Sequence, residues 1–183
     1  MLRILNKIYA VGIVTEPAKA YSDPELDAIG VELKRVIDQR FHGALAIRQV
    51  DAGSCNGCEL EIHALNNAYY DLERFGVHFV ASPRHADVLM VTGPVSRHMR
   101  HALLTTYQAT PDPKWVVAVG TCAADGGEFG ESYASCGEVA RVLPVDAVIP
   151  GCPPPPLEML RSLLALLRHP QICCGVKVQG FIE

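Results

Sequence analysis

The sequence predicts an α/β fold with a flavodoxin-like, doubly wound and mostly parallel sheet. Strand patterns and helix patterns alternate from residue 44 onward, which is typical of a parallel sheet covered by helices. The strand segments are continuous apolar runs, as expected for strands buried on both faces. About five short strands, separated by short helices, fit a sheet of the flavodoxin-like size.

The first predicted element is an amphipathic helix within an N-terminal extension, residues 1–43. Residues 1–23 show no clear period. Asp23 is a good N-cap and Pro24 suits the first helical position, so a helix is predicted from there to about residue 41. The apolar residues that recur at helical spacing are Leu26, Ile29, Leu33, Val36 and Ile37.

The predicted α/β domain follows at residues 44–170. Its strands are predicted at residues 44–50, 77–80, 86–91, 115–119 and 145–149. Its helices are predicted at residues 60–75, 94–106 and 157–167. Residues 171–183 are predicted to form a C-terminal tail.

Composition excludes some classes of function. The chain has 183 residues, 49% of them hydrophobic, and a formal net charge of −4, so a nucleic-acid partner is not expected. The basic stretch Arg97, His98, Arg100, His101 is interpreted as a solvated helix face. No run of about 18 uncharged apolar residues indicates a membrane span. The start lacks a clear signal peptide and a twin arginine, so a cytoplasmic location is predicted.

Four of the seven cysteines follow predicted strands. Cys55 and Cys58 come after the first strand, Cys122 after the fourth and Cys152 after the fifth. Ligands of open parallel sheets bind beyond the carboxyl ends of the strands, so we expect these thiols to meet at one edge. Four thiolates are the ligand set of a [4Fe–4S] cluster. The flanking glycines that allow sharp turns and close approach are Gly53, Gly57, Gly120 and Gly151.

Two other interpretations of the cysteines stay open from the residues alone. A Cys-x-x-Cys pair also occurs in thioredoxin-like dithiols, although that chemistry does not require Cys122 and Cys152. A structural zinc site on a non-catalytic scaffold is the second alternative, although such sites usually carry two Cys-x-x-Cys pairs.

Other polar residues near these motifs receive simpler interpretations. Cys136 is predicted to be a buried or loop thiol, and His63 a surface or packed residue. Cys173 and Cys174 are interpreted as tail thiols. The carboxylates near the cysteines in sequence are Glu59, Glu61 and Glu128. They could move protons, but a helix N-terminus explains Glu59 without a function.

Six short motifs occur in order at residues 53–61, 82–87, 92–95, 120–123, 144–146 and 150–154. The first reads Gly-Ser-Cys-Asn-Gly-Cys-Glu-Leu-Glu and the last Pro-Gly-Cys-Pro-Pro. Together they resemble the cluster-bearing small subunit of [NiFe] hydrogenases and the corresponding subunit of respiratory complex I. The resemblance covers about residues 44–168 and implies the flavodoxin-like fold.

The spacing of the first cysteine pair resembles one branch of this superfamily. Complex I subunits typically carry adjacent cysteines, whereas Cys55 and Cys58 are separated as in energy-converting hydrogenases of the formate hydrogenlyase type. The resemblance implies that Cys55, Cys58, Cys122 and Cys152 bind one proximal [4Fe–4S] cluster.

The resemblance also implies partners and a location. The implied partners are a nickel–iron large subunit, a ferredoxin-like iron–sulfur subunit and integral membrane subunits. The chain would lie peripherally on the cytoplasmic side of the membrane and would not be active alone. The alternative is the corresponding subunit of a complex I-like NADH/quinone oxidoreductase, whose cluster reduces quinone.

Overall fold

The computed structural model of the chain describes residues 2–12 and 23–168. The strands there, β1 to β5, are Leu45–Asp51, Val77–Phe79, Val88–Thr92, Trp115–Val119 and Ala147–Ile149. The α-helices there, α1 to α6, are Leu2–Val11, Pro24–Arg40, Gly57–Ala64, Arg97–Ala109, Thr121–Asp125 and Pro156–Arg168. Short 3₁₀ turns lie in several connections.

The five strands form one parallel sheet in the order β2-β1-β3-β4-β5. The order reverses between β1 and β3, which is the switch point of a flavodoxin-like sheet. The register pairs Asp51 with Thr92, Thr92 with Val119, and Val119 with Ile149. The carboxyl ends of four strands therefore meet at one edge, and the predicted fold class is confirmed.

Alternate side chains of the central strands pack on opposite faces of the sheet. On β3, Val88 and Met90 belong to a core shared with α2, α3 and α6. Leu89 and Val91 belong to a second core shared with α4 and α5. All five residues of β3 are buried, which explains why its sequence is a continuous apolar run.

Two aspartates of the sequence motifs fix the amino ends of the strands. The Asp87 carboxylate accepts a hydrogen bond from the Ala46 backbone N–H at 2.9 Å. The Asp146 carboxylate accepts one from the Val116 backbone N–H at 2.7 Å. Each aspartate precedes one strand and binds the start of the adjacent strand in the sheet. Both therefore help to set the strand register, which determines where the cysteine loops begin.

The predicted helix at residues 60–75 is wrong in its length. Helix α3 ends at Ala64, and a 3₁₀ turn occupies Leu72–Phe75. Between them, the Asn67 side-chain oxygen accepts hydrogen bonds from the backbone N–H groups of Tyr69 and Tyr70. An asparagine that binds the backbone just ahead of it favours a turn over continued helix.

Two helices were not predicted from the sequence. The first is α1, which lies before the predicted N-terminal helix. The predicted helix is α2, and Asp23 caps it as expected. Helix α5 has five residues and carries Cys122. The predicted tail at residues 171–183, with Cys173 and Cys174, lies outside the described residues. Within residues 2–12 and 23–168, no helix is both long and apolar enough to cross a bilayer.

Replacing Gly30 with alanine is expected to lower the free energy of unfolding by about 1–3 kcal/mol, the usual cost of overpacking a core. A Cβ atom at Gly30 of α2 would clash with the buried Phe75 ring. Urea unfolding of the purified chain measures the change. The control is Val31→Ala, because Val31 is 67% exposed and its truncation should change stability by about 0.5 kcal/mol or less. Equal stability of the two variants would contradict this packing.

Candidate iron–sulfur site

The loop after β1 is built by hydrogen bonds from Asp51. Its carboxylate accepts the backbone N–H groups of Gly53 and Ser54, each at 2.8 Å. Asn56 then adopts a left-handed conformation with φ of 71°, which asparagine tolerates better than most residues. This tight turn leaves Cys55 exposed and places half-buried Cys58 in the first turn of α3.

The loop after β3 supports the first cysteine loop from the side. A Cβ atom on Gly93 would lie 2.5 Å from the Cα atom and the backbone nitrogen of Ser54. The backbone N–H of Ser96 donates to the carbonyl of Ala52 at 2.7 Å. Only glycine permits this approach of two backbones, so Gly93 and Ser54 are positioning residues that the sequence analysis did not single out.

The loops after β4 and β5 are joined to each other by hydrogen bonds. The Thr121 backbone N–H donates to the carbonyl of Gly151 at 2.8 Å, and the Thr121 hydroxyl donates to the same oxygen at 3.2 Å. These bonds hold Cys122, in the first turn of α5, beside exposed Cys152. The two cysteines are therefore brought together although 30 residues separate Thr121 and Gly151.

The structure brings the four predicted thiols to the same edge of the sheet. A Cβ atom on Gly120 would lie 2.6 Å from the Cys58 sulfur, so the loop after β4 touches the first cysteine loop. The pKa of Cys58 is raised to about 11, first by burial and then by negative charge on Glu59, Cys55, Cys122 and Cys152. All three other thiols thus lie within electrostatic range of Cys58.

The pKa of Cys122, on the loop after β4, is shifted by similar causes. Its pKa is raised first by burial and then by negative charge on Cys152 and Cys55. Mutual repulsion of neighbouring thiolates disfavours their ionised forms. The metal-free site therefore favours protonated Cys58 and Cys122, and binding of a metal group would release protons, since thiolates are the ligands.

Four neighbouring thiols are a donor set that fits a [4Fe–4S] cluster. Within residues 2–12 and 23–168, no group of three or more His, Cys, Asp or Glu side chains is placed to hold one metal ion. A [4Fe–4S] cluster takes four thiolates, and the four thiols of this site are neighbours. Because Gly120 has no side chain, its backbone can lie directly against the Cys58 sulfur.

Glu59 is a buried acidic residue beside the site. It is 4% exposed, and neither carboxylate oxygen has a hydrogen-bond partner among the described residues. Burial was not expected from its position in the first turn of α3. Its proximity adds negative charge beside Cys58.

The remaining residues considered from the sequence differ in how exposed their side chains are. Cys136 is half-buried and packs against the second core, in agreement with a structural thiol. His63 and Glu128 are exposed, and Glu61 is half-buried. Arg97, His98, Arg100 and His101 are all exposed on α4.

Comparison with known proteins gives consistent family matches. Residues 55–166 match the family described as NADH ubiquinone oxidoreductase, 20 Kd subunit. A probable membrane-bound hydrogenase subunit mbhJ of Pyrococcus furiosus is 48% identical over 118 residues, covering 64% of this chain and 71% of that protein. Formate hydrogenlyase subunit 7 of Escherichia coli is 41% identical over 145 residues, covering 73% of this chain and 57% of that protein.

Two further likenesses extend the comparison. An NADH-quinone oxidoreductase subunit of Citrifermentans bemidjiense is 46% identical over 109 residues, covering 60% of this chain and 64% of that protein. A chain in the structure of the membrane-bound sulfane sulfur reductase, an archaeal respiratory membrane complex, superposes with a TM-score of 0.63 at 32% identity. That match covers 78% of this chain and 76% of the other.

Proposed function

Because the chain belongs to the family of the 20 Kd subunit of NADH ubiquinone oxidoreductase, we propose that it is an electron-transfer subunit with one [4Fe–4S] cluster on Cys55, Cys58, Cys122 and Cys152. The observation that carries the proposal is the meeting of these four thiols, from three loops, at the carboxyl edge of the sheet. The cluster would take up and release single electrons when bound.

The residues of the chain give the site an inner and an outer side. Cys58 and Cys122 are half-buried, whereas Cys55 and Cys152 are exposed. The backbone of Gly120 lies against the Cys58 sulfur on the inner side. The outer side is left for a partner subunit, which would complete the enclosure of the cluster.

Exposed hydrophobic side chains near the site support a covering partner. Leu60 follows the first cysteine pair and is 62% exposed, while Phe129 and Tyr133 follow α5 and are 61% and 94% exposed. Exposed apolar side chains that follow the cysteine loops in the sequence would suit such an interface. The chain is therefore proposed to act as one subunit of an oxidoreductase complex.

The proposed complex is a membrane-bound [NiFe] hydrogenase of the formate hydrogenlyase type. There the cluster would be proximal and would connect a nickel–iron large subunit with a ferredoxin-like subunit. Integral membrane subunits would hold the complex at the cytoplasmic side of the membrane. The separated Cys55 and Cys58 favour this choice, and identities of 48% and 41% to two hydrogenase subunits agree with it.

A second candidate is the corresponding cluster-bearing subunit of an NADH/quinone oxidoreductase. The identity of 46% to such a subunit is similar to that of the hydrogenase relatives, so overall identity does not separate the two. In that enzyme the cluster would pass electrons to quinone, and no nickel would be required in the partner.

Metal analysis of the native complex separates the two candidates. The complex is purified anaerobically through a tag on this chain, and iron, acid-labile sulfide and nickel are measured together with spectra of the reduced cluster. Iron and sulfide with nickel in a co-purifying subunit are expected for the hydrogenase. Iron and sulfide without nickel, with quinone-dependent turnover, would support the second candidate. Zinc without sulfide would overturn the electron-transfer proposal.

A further inference from the structure

Helix α1 segregates its side chains into two faces. Viewed down the axis, the polar side is occupied by Arg3, Asn6, Lys7 and Ala10. The opposite side, about half of the circumference of the helix, is apolar. Its residues are Leu2, Ile4, Leu5, Ile8, Tyr9 and Val11.

The apolar face of α1 is uncovered. Its six side chains are between 52% exposed, at Val11, and 93% exposed, at Tyr9. None of the ten residues of the helix is buried. An apolar stripe this regular normally faces a core, yet here it contacts no core within residues 2–12 and 23–168.

The charges on α1 have a single sign. Arg3 and Lys7 lie on the polar face, and residues 2–12 contain no acidic side chain. Neither cation forms an ion pair with a described residue. This segment is therefore positive in a chain whose formal net charge is −4.

We propose that α1 binds the surface of an anionic lipid bilayer and lies in its plane. Ten residues of helix span about 15 Å, which is too short to cross a hydrocarbon core that needs about 20 residues. A cationic polar face opposite an apolar face with an aromatic residue is the pattern of interfacial helices. A groove in another protein would bury the same apolar face but would not explain a polar face with positive charges alone.

Lipid binding by α1 extends the proposed function, since a peripheral subunit of a membrane complex would use it as an anchor. It does not depend on the cluster or on nickel. The electron-transfer proposal and the lipid-binding proposal are tested by two different measurements. Failure of the electron-transfer proposal would appear in iron and sulfide content, whereas failure of this inference would appear in lipid binding.

The test uses the purified full-length chain and sedimentation with vesicles. Vesicles of phosphatidylcholine mixed with phosphatidylglycerol are compared with vesicles of phosphatidylcholine alone. We expect binding to the anionic vesicles, weaker binding to the neutral ones, and weakening with added salt as charges are screened. Leu5→Glu should reduce the partition coefficient at least about tenfold, because it places a charge where the apolar face would bury a leucine in the bilayer.

Val31→Glu is the matched control. Val31 lies on α2 and is 67% exposed, close to the 60% of Leu5, so the same charge is added away from α1. It should bind anionic vesicles like the unmodified chain, and all variants should contain equal iron and sulfide. Equal vesicle binding by Leu5→Glu and Val31→Glu would overturn the proposal. Absence of vesicle binding, with loss of Leu5→Glu from the purified complex, would instead assign α1 to a groove in another subunit.

Discussion

Replacing Cys122 with alanine is expected to abolish the bound cluster, with iron and sulfide falling to background in the purified chain. The substitution removes one of four proposed thiolate ligands, and four cysteine thiolates are the usual ligand set of a [4Fe–4S] cluster. Cys122 lies in the first turn of α5, where hydrogen bonds from Thr121 to Gly151 place it. No other cysteine among the described residues is placed beside these loops to replace it, because Cys136 packs against the second core.

Cys136→Ala is the matched control for this experiment. It removes a half-buried thiol of the same size and should leave iron, sulfide and the reduced-cluster spectrum unchanged. Both variants are purified anaerobically, and circular dichroism of the metal-free chains shows whether each is folded. Full iron and sulfide in both variants would refute the proposed ligand set. Loss of the cluster from Cys136→Ala alone would show that Cys136, and not Cys122, is the ligand.

The sheet could be predicted from the sequence because its strands are buried on both faces. Residues 115–119 were predicted as a strand, and β4 has the same bounds. Short connections and the right-handed crossover of parallel units restrict the possible strand orders. Each proposed cysteine ligand could then be assigned to the correct edge, since position along the chain determines which strand it follows.

Features that depend on contacts between distant residues could not be predicted in the same way. The approach of Gly93 to Ser54 has no local signal, because glycine occurs in many turns. The early end of α3 depends on Asn67, whose side-chain oxygen accepts a backbone hydrogen bond. The apolar residues around it have helical spacing, so the sequence pattern alone predicts a longer helix. Helix α5 is too short for a periodic pattern. Helix α1 did carry a signal, the helical spacing of Ile4, Ile8 and Val11, which was missed in the sequence analysis.

Gly120→Ala is expected to disrupt the site without removing a ligand. Gly120 has φ of 87° and ψ of 159°, a conformation essentially restricted to glycine that costs other residues roughly 1–3 kcal/mol. Its new Cβ atom would lie 2.6 Å from the Cys58 sulfur and 3.3 Å from the carbonyl oxygen of Gly151. Because Cys58 would be held by an iron atom in the loaded protein, its sulfur could not move away without weakening that bond. We expect more than half of the iron and sulfide to be lost.

Gly130→Ala separates backbone strain from the clash at the site. Gly130 also has a positive φ, of 53°, but a Cβ atom there would meet nothing within 4 Å. Gly130→Ala should therefore be destabilised by a similar backbone cost while keeping its iron and sulfide. Urea unfolding of the metal-free chains measures the cost in each variant, and iron per chain measures loading. If Gly120→Ala loaded as much iron as Gly130→Ala, the close contact between Gly120 and Cys58 would not be needed for the cluster, and the inner side of the proposed site would have to lie elsewhere.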